Sequence, residues 1–264
     1  MSIKVKDIKK FMNEIAPEVL KEDFDNVGLM VGDEEKEVSK ILLALDCTNN
    51  VIKEAIENKC DMIITHHPLI FRKPNRIVKN DLLGNKIIEL IKNDISLYSS
   101  HTNLDSVQNG INDKIVKILG FDSDMIIEKS KNSEFSEAGL GRIVSLKDNL
   151  KVEDLVALIK EKLGIQSLRV VTGNEYVKKL AIINGSGQDF ISESVNLGAD
   201  CIITGDTTYH FASDYKELGI TIIDAGHFGT EWLAFLEAIK PLKDKFMEIK
   251  FIESKVNKDP YTFV

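Results

Sequence analysis

The sequence has little cysteine, no long apolar run and no flexible linker. Its three cysteines, Cys47, Cys60 and Cys201, are an odd number, and no two have the close spacing of a zinc knuckle or a redox motif. A disulfide scaffold is thereby excluded, and the cysteines read as buried thiols in a reducing compartment. Nowhere do about 18 apolar residues follow one another, the length a membrane-spanning helix needs. The opening MSIKVKDIKKFM is charged and amphipathic, with no apolar run before a small-residue cleavage site. A cytoplasmic protein without a membrane span is expected. Basic charge is also in deficit: 34 Lys and Arg face 42 Asp and Glu, a formal net charge of -8. Such a chain repels phosphate backbones and anionic membranes at long range, so nucleic acid is a disfavoured partner unless one face is locally basic.

What is present is a regular alternation. The 264 residues suffice for one large domain or two interlocked halves. Short apolar runs recur between Gly, Asp and Asn: KILLALD, DMIITH, ISLYSSH, GRIVSL, LRVVT, KLAIING, CIITGD, ITIIDAGH and EIKFIES. Their near-continuous Val, Ile and Leu content predicts buried strands. Between them NNVIKEAIENKC, DLLGNKIIELIKND, VEDLVALIKEKLG, DFISESVNLG and TEWLAFLEAIKPLKDKF carry helical periodicity. The fold class is therefore α/β, with mixed, largely parallel sheets covered by helices. The loosest stretch is the polar EKSKNSEFSEAG, residues 128 to 139. It places a join between a first half, residues 1–127, and a second, residues 128–264.

The halves show an internal likeness. ENKCDMIITHHP resembles NLGADCIITGDT, each a helix end running into an apolar strand that stops at polar residues. One strand later, ISLYSSHTNLD and ITIIDAGHFGTE each end a strand with a His followed four residues on by a carboxylate. The two halves are thus expected to share one site.

Chemistry concentrates at the strand ends. The five histidines, His66, His67, His101, His210 and His227, all lie at the C-terminal end of a strand or at the start of the next helix. Open α/β sheets place their ligands there; for any single one, a satisfied structural histidine is the competing reading. His66 and His67 precede Pro68, which keeps the chain extended, so adjacent side chains diverge and can reach two different metals. His227 and Glu231 share one helix face if the first turn begins at His227. Asp105, in SSHTNLDS, is the matching carboxylate, with a helix N-cap or turn as its plainer role. Three imidazoles and two carboxylates serve two metal ions if one carboxylate bridges and waters fill the remaining positions. A nitrogen and oxygen set without thiolate favours zinc, manganese, iron, cobalt or nickel over calcium or magnesium.

Other residues carry weaker signals. Gly185, Ser186 and Gly187 lie between a strand and a helix, where free amides could hold a phosphate, although a lone glycine turn is a common loop. Asp25 and Asn26 in DFDNVGLMVG read as a structural turn. Trp232 points about 100° away from Glu231 around a helix and reads as core. His210 follows Asp206 and is assigned no metal.

DNVGLMVG, ITHHPLIF, SSHTNLD, GLGR, ITGDTTYH, DAGHFGTE and the closing DPYTFV run in order along nearly the whole chain. Together they resemble the GTP cyclohydrolase 1 type 2 homolog family, also called NGG-interacting-factor-three-like. The resemblance implies a dinuclear metal centre between two intertwined α/β halves, with His66, His67, Asp105, His227 and Glu231 as ligands and Glu231 bridging. It also implies a homohexameric ring. Longer relatives carry a domain inserted between the halves, for which this chain has no room.

Two functions compete. One is a metal-dependent hydrolase acting on a nucleotide or other phosphorylated small molecule, GTP ring opening being one version, with His101 as general base or as a partner of the ligands. The other is a non-enzymatic metal-binding ring that engages a protein or nucleic-acid partner. A closed coordination shell would favour the second, exchangeable water the first.

Overall fold

The computed structural model describes residues 2–264. The chain divides into two compact units, one built from residues 1–104 and 239–258, the other from residues 105–238 and 259–264. Each has its own sheet and its own apolar core.

In the first unit, α1 (Val5–Ile15) precedes the strands β1 (Gly28–Val31) and β2 (Lys40–Ala44). Helix α2 (Asn49–Glu57) leads to β3 (Met62–Thr65), and α3 (Leu82–Lys92) leads to β4 (Ser96–Ser99). The short helix α4 (Thr102–Ser106) carries the chain across the division. In the second unit follow α5 (Ile111–Ile118), β5 (Met125–Lys129), β6 (Gly139–Lys151), α6 (Val152–Leu163), β7 (Arg169–Val171) and β8 (Tyr176–Ser186). Then come α7 (Ile191–Asn196), β9 (Cys201–Gly205), α8 (Tyr209–Glu217), β10 (Thr221–Asp224) and α9 (His227–Ala238). The chain returns to the first unit with α10 (Lys240–Lys245) and β11 (Lys250–Glu253).

Both sheets are mixed. The first has the order β1-β4-β3-β2-β11, with β4, β3, β2 and β11 mutually parallel and β1 antiparallel at one edge. The second has the order β5-β6-β8-β9-β10-β7, a parallel centre of β8, β9 and β10 flanked by antiparallel strands. The central strands β3 and β9 are buried along their length, as their Ile-rich sequences require. All nine apolar runs form strands, and all five periodic stretches form helices.

The expected join near residue 128 falls inside the second unit. EKSKNSEFSEAG connects the antiparallel strands β5 and β6, so its polarity marks a hairpin rather than a linker. The returning segment belongs to the first unit because β11 extends its sheet beside β2. It is tied there by Asn257, whose Oδ1 accepts from Leu45 N at 2.9 Å, and by Glu54, whose carboxylate accepts from Ser254 Oγ and Lys255 N. GLMV, within the stretch read as a turn, is the edge strand β1, too short and too interrupted by glycine to show a period.

The internal likeness extends to hydrogen bonds. At the start of β3, Asp61 Oδ2 accepts from Ser39 N at 2.8 Å and Lys40 N at 3.0 Å. At the start of β9, Asp200 accepts from Lys178 N at 2.9 Å and Lys179 N at 3.0 Å. Lys40 Nζ donates to Asn58 O, and Lys179 Nζ donates to Leu197 O, in each case the helix end before the strand. One framework has been built twice from different sequences.

In the second unit the buried Arg142 of GLGR fastens β6 to α5. Its Nε and Nη2 donate to the two oxygens of Asp113, and Nη1 donates to the Gly139 and Gly141 carbonyls. Replacing Arg142 by Met leaves the Asp113 carboxylate without its cation in a part-buried setting and is expected to cost about 3 kcal/mol in urea unfolding. Burial alone would raise the Asp61 carboxyl, but its hydrogen bonds from Ser39 and Lys40 lower it below the ordinary value. A carboxyl lowered on folding stabilises above the unfolded value and loses that contribution as pH falls through the folded one. Asp61→Asn is therefore expected to lower stability by about 1 kcal/mol at neutral pH. The gap in urea midpoints between variant and parent should narrow as pH falls below the ordinary carboxylate range; a gap unchanged by pH would mean that charge is not the source.

Candidate metal centre

The C-terminal ends of parallel strands lie side by side along one sheet edge, which gathers their end residues. In the first unit β2 delivers Asp46, β3 delivers His66 and His67, and β4 delivers His101. One ligand atom from each of His66, His67 and His101 lies within 4.8 Å of the other two. His66 is fully buried, at 0% exposure.

Each ring is steered through Nδ1. His66 Nδ1 lies 2.9 Å from the Ser100 carbonyl, His67 Nδ1 is 3.0 Å from Asp46 Oδ1, and His101 Nδ1 is 2.9 Å from Asp25 Oδ1. An acceptor on Nδ1 fixes the tautomer with its hydrogen there and makes Nε2 the nitrogen that can bind a metal or take a proton. Asp25 is itself locked, since its Oδ2 accepts from the backbone N and the hydroxyl of Thr102. Burial alone would raise the Asp25 carboxyl, but hydrogen bonds from His101 and Thr102 bring it down to about 2.

In the second unit β8 delivers Asn184 and Gly185, β9 delivers Asp206, and β10 leads into α9 with His227 at its first position. The i, i+4 spacing on α9 sets His227 Nε2 at 3.2 Å from Glu231 Oε2. His227 Nδ1 lies 2.8 Å from Asp206 Oδ2. Asp206 adopts φ 56°, an uncommon conformation outside glycine that sends the chain out of the strand at this point. Asn184 Nδ2 donates to Asp105 Oδ1 at 2.9 Å and to Glu231 Oε1 at 3.1 Å. One amide thus holds two buried carboxylates in a fixed relation.

Gly185 is required where it stands. Its φ is 56°, and a Cβ there would lie 2.3 Å from Glu231 Oε1 and 3.2 Å from His227 Nε2. The backbone approaches the donors more closely than any side chain permits. Its amide donates to Thr230 Oγ1 and that of Gly187 donates to Thr204 Oγ1. The Gly185 and Gly187 amides are thus spent internally.

A cavity of about 570 Å³ in the second unit adjoins His227, lined among others by Arg169, Asp206, Asp224, Phe228 and Tyr261. Arg169 Nη2 donates to Asp224, which also accepts from Thr207 N and Oγ1. His210 stands apart on exposed α8, its ring against Tyr209. Trp232 stacks on Phe235 with ring centroids 6.2 Å apart, a packing role. Burial pushes the Cys47 thiol up to about 12 and the Cys60 thiol up to about 11. Neither belongs to a donor cluster, so the donors are nitrogen and oxygen.

Sequence reasoning missed Asp25, Asp46, Asn184 and Thr230. Asp46 and Asn184 end strands just as the histidines do, a signal available in KILLALD and KLAIING. Asp25 lies in a loop before an edge strand, and nothing local distinguishes it from a turn aspartate.

The family model described as Duf34/NIF3 (NGG1p interacting factor 3) matches residues 3–260. A Clostridium perfringens protein named GTP cyclohydrolase 1 type 2 homolog is 54% identical over 264 residues, covering 99% of this chain and 100% of that one. A Clostridium acetobutylicum protein of the same name is 53% identical over 269 residues, covering 100% of each. Among solved structures, the Staphylococcus aureus hypothetical protein SA1388 matches with a TM-score of 0.89 at 32% identity, covering 100% of each chain.

Gly185→Ala is expected to lower thermal stability by an amount equivalent to about 1–3 kcal/mol and to reduce retained divalent metal. Gly198→Ala is the control, because Gly198 also has positive φ, at 87°, while only the flexible Lys179 side chain lies near it. It carries the backbone strain without the crowding of Glu231. Equal metal retention by the two variants, measured by elemental analysis, would refute the crowding account.

Proposed function

Because the chain belongs to the Duf34/NIF3 (NGG1p interacting factor 3) family, we propose that His66, His67, Asp105, His227 and Glu231 hold two divalent metal ions. We propose further that the centre hydrolyses a nucleotide or a related phosphorylated small molecule. The observation that carries the reading is the steering of the imidazoles: His66, His67 and His227 each have Nδ1 against an oxygen acceptor. That is the arrangement of metal-ligating histidines. The donor chemistry fits zinc, manganese, iron, cobalt or nickel.

Divalent ions held there would supply Lewis acidity and make a water a better nucleophile at neutral pH. The chain's own residues do the rest. Asn184 fixes the Asp105 and Glu231 carboxylates so that neither can swing away. Asp25, held ionised, keeps the His101 hydrogen on Nδ1, leaving Nε2 to take a proton from a reacting water. No helix among the described residues is long and apolar enough to cross a membrane. The same reading makes the assembly a homohexamer, testable by light scattering.

Protein saturated with manganese or zinc and then desalted is expected to retain about two ions per chain, falling to about one or fewer in Glu231→Ala. Turnover against a nucleotide panel should then be lost in the same variant and fall at least about 100-fold in His101→Ala. Metal retained with no turnover of any panel member would favour the metal-binding module without catalysis. No retained metal in the parent protein would overturn the proposal.

A further inference from the structure

The first unit leaves two large aromatic rings in water beside its histidine cluster. Phe24 is 65% exposed and Phe71 is 41% exposed. Their ring centroids lie 6.1 Å apart at 58°, and Phe71 meets His101 edge to face at 6.4 Å. Burying such rings is favourable, and an exposed apolar group rimmed by polar residues marks an interaction site.

The rings do not sit on loose loops. Asn26 Nδ2 donates to the Ile70 carbonyl at 2.6 Å, joining the two aromatic-bearing loops. Lys21 Nζ donates to the Asp25 carbonyl at 2.6 Å, and the Asp25 side chain is locked to His101 and Thr102. The ring pair is therefore held in place before any ligand arrives, which lowers the ordering cost of binding.

Charge makes the ring pair specific. From Phe71 to Asn80 the chain reads FRKPNRIVKN, four cations and no acid, in a protein of net charge -8. Arg76 is engaged by Asp81, whereas Arg72 and Lys73 directly follow Phe71 and are exposed. Of the nearby acids, Asp25 is spent on His101 and Asp46 on His67, while half-buried Glu22 and exposed Asp23 precede Phe24 on the opposite side of the ring pair's sequence from Arg72 and Lys73. Exposed aromatic faces interleaved with cations are how proteins hold bases and phosphates without reading a sequence.

Building on the reading of His66, His67 and His101 as part of a metal-dependent centre, we propose that Phe24 and Phe71 form a stacking platform for the planar ring of a nucleotide. Arg72 and Lys73 receive its phosphate. The ring is held beside His101, so the platform selects which compounds reach the histidine cluster. The occupant is a mononucleotide rather than a polynucleotide, because a single short basic segment in an acidic chain cannot track a long phosphate backbone.

The test is calorimetric titration of the full-length, metal-loaded protein with GMP and with guanosine. The parent protein should bind GMP more tightly than guanosine. Phe24→Ala and Phe71→Ala should each weaken both ligands about tenfold, and Phe71→Trp should restore binding. Arg72→Gln with Lys73→Gln should remove the preference for GMP and leave guanosine unchanged. Metal content is measured on the same samples and is expected to stay at the parent level in every variant. Absence of metal from the parent protein would remove the metal-centre reading while the titrations still report on the platform. The platform is overturned if GMP does not bind the parent protein, or binds all variants equally. It is also overturned if the Phe variants alter only the assembly mass in light scattering, which would make the pair a contact between copies of the chain.

Discussion

The hydrogen bond from a histidine Nδ1 to an oxygen on an adjacent loop or strand end is the interaction on which the rest depends. An imidazole turns about two bonds and exchanges its proton between two nitrogens, so by itself it points nowhere in particular. Once Nδ1 is tied, the tautomer and the ring plane are both set. Parallel strands supply the acceptors at little cost, because their ends lie about 5 Å apart. Asp46 beyond β2 meets His67 beyond β3, the Ser100 carbonyl beyond β4 meets His66, and Asp206 beyond β9 meets His227 beyond β10. The sheet is the device that orders the imidazoles.

The two units show how far one framework can be specialised. Both start the middle strand with an aspartate that caps the preceding strand, and both tie a lysine to the carbonyl at the preceding helix end. The donors differ. The first unit ends its strands in three imidazoles, whereas the second offers one imidazole and two carboxylates joined by Asn184. Where the first has Asp46 past the end of β2, the second has Gly185 at the end of β8, and the absent side chain is what lets Glu231 and His227 approach the backbone. The framework fixes where side chains emerge, and substitutions at the strand ends fix what they do.

Much of this was legible in the chain. The nine apolar runs and five periodic stretches are strands and helices because buried strands and amphipathic helices are local patterns. His66, His67 and His227 are legible as candidate donors because strand ends can be read off those patterns. EKSKNSEFSEAG misled because a polar, turn-rich stretch looks the same whether it joins two units or two strands of a hairpin. DFDNVGLMVG concealed both an edge strand and the aspartate that holds His101, since neither has a periodic signal.

The sequence by itself determined the elements, their α/β alternation and the residue types available at strand ends, because these follow from side-chain chemistry over a few neighbouring residues. Only the tertiary structure decided which partner each donor has. Asp25 reaches His101 across 76 positions, and Asn184 reaches Asp105 across 79. No local rule encodes such a distance; it is closed by the order in which strands pair, and that order is chosen by the burial of both sheets as wholes.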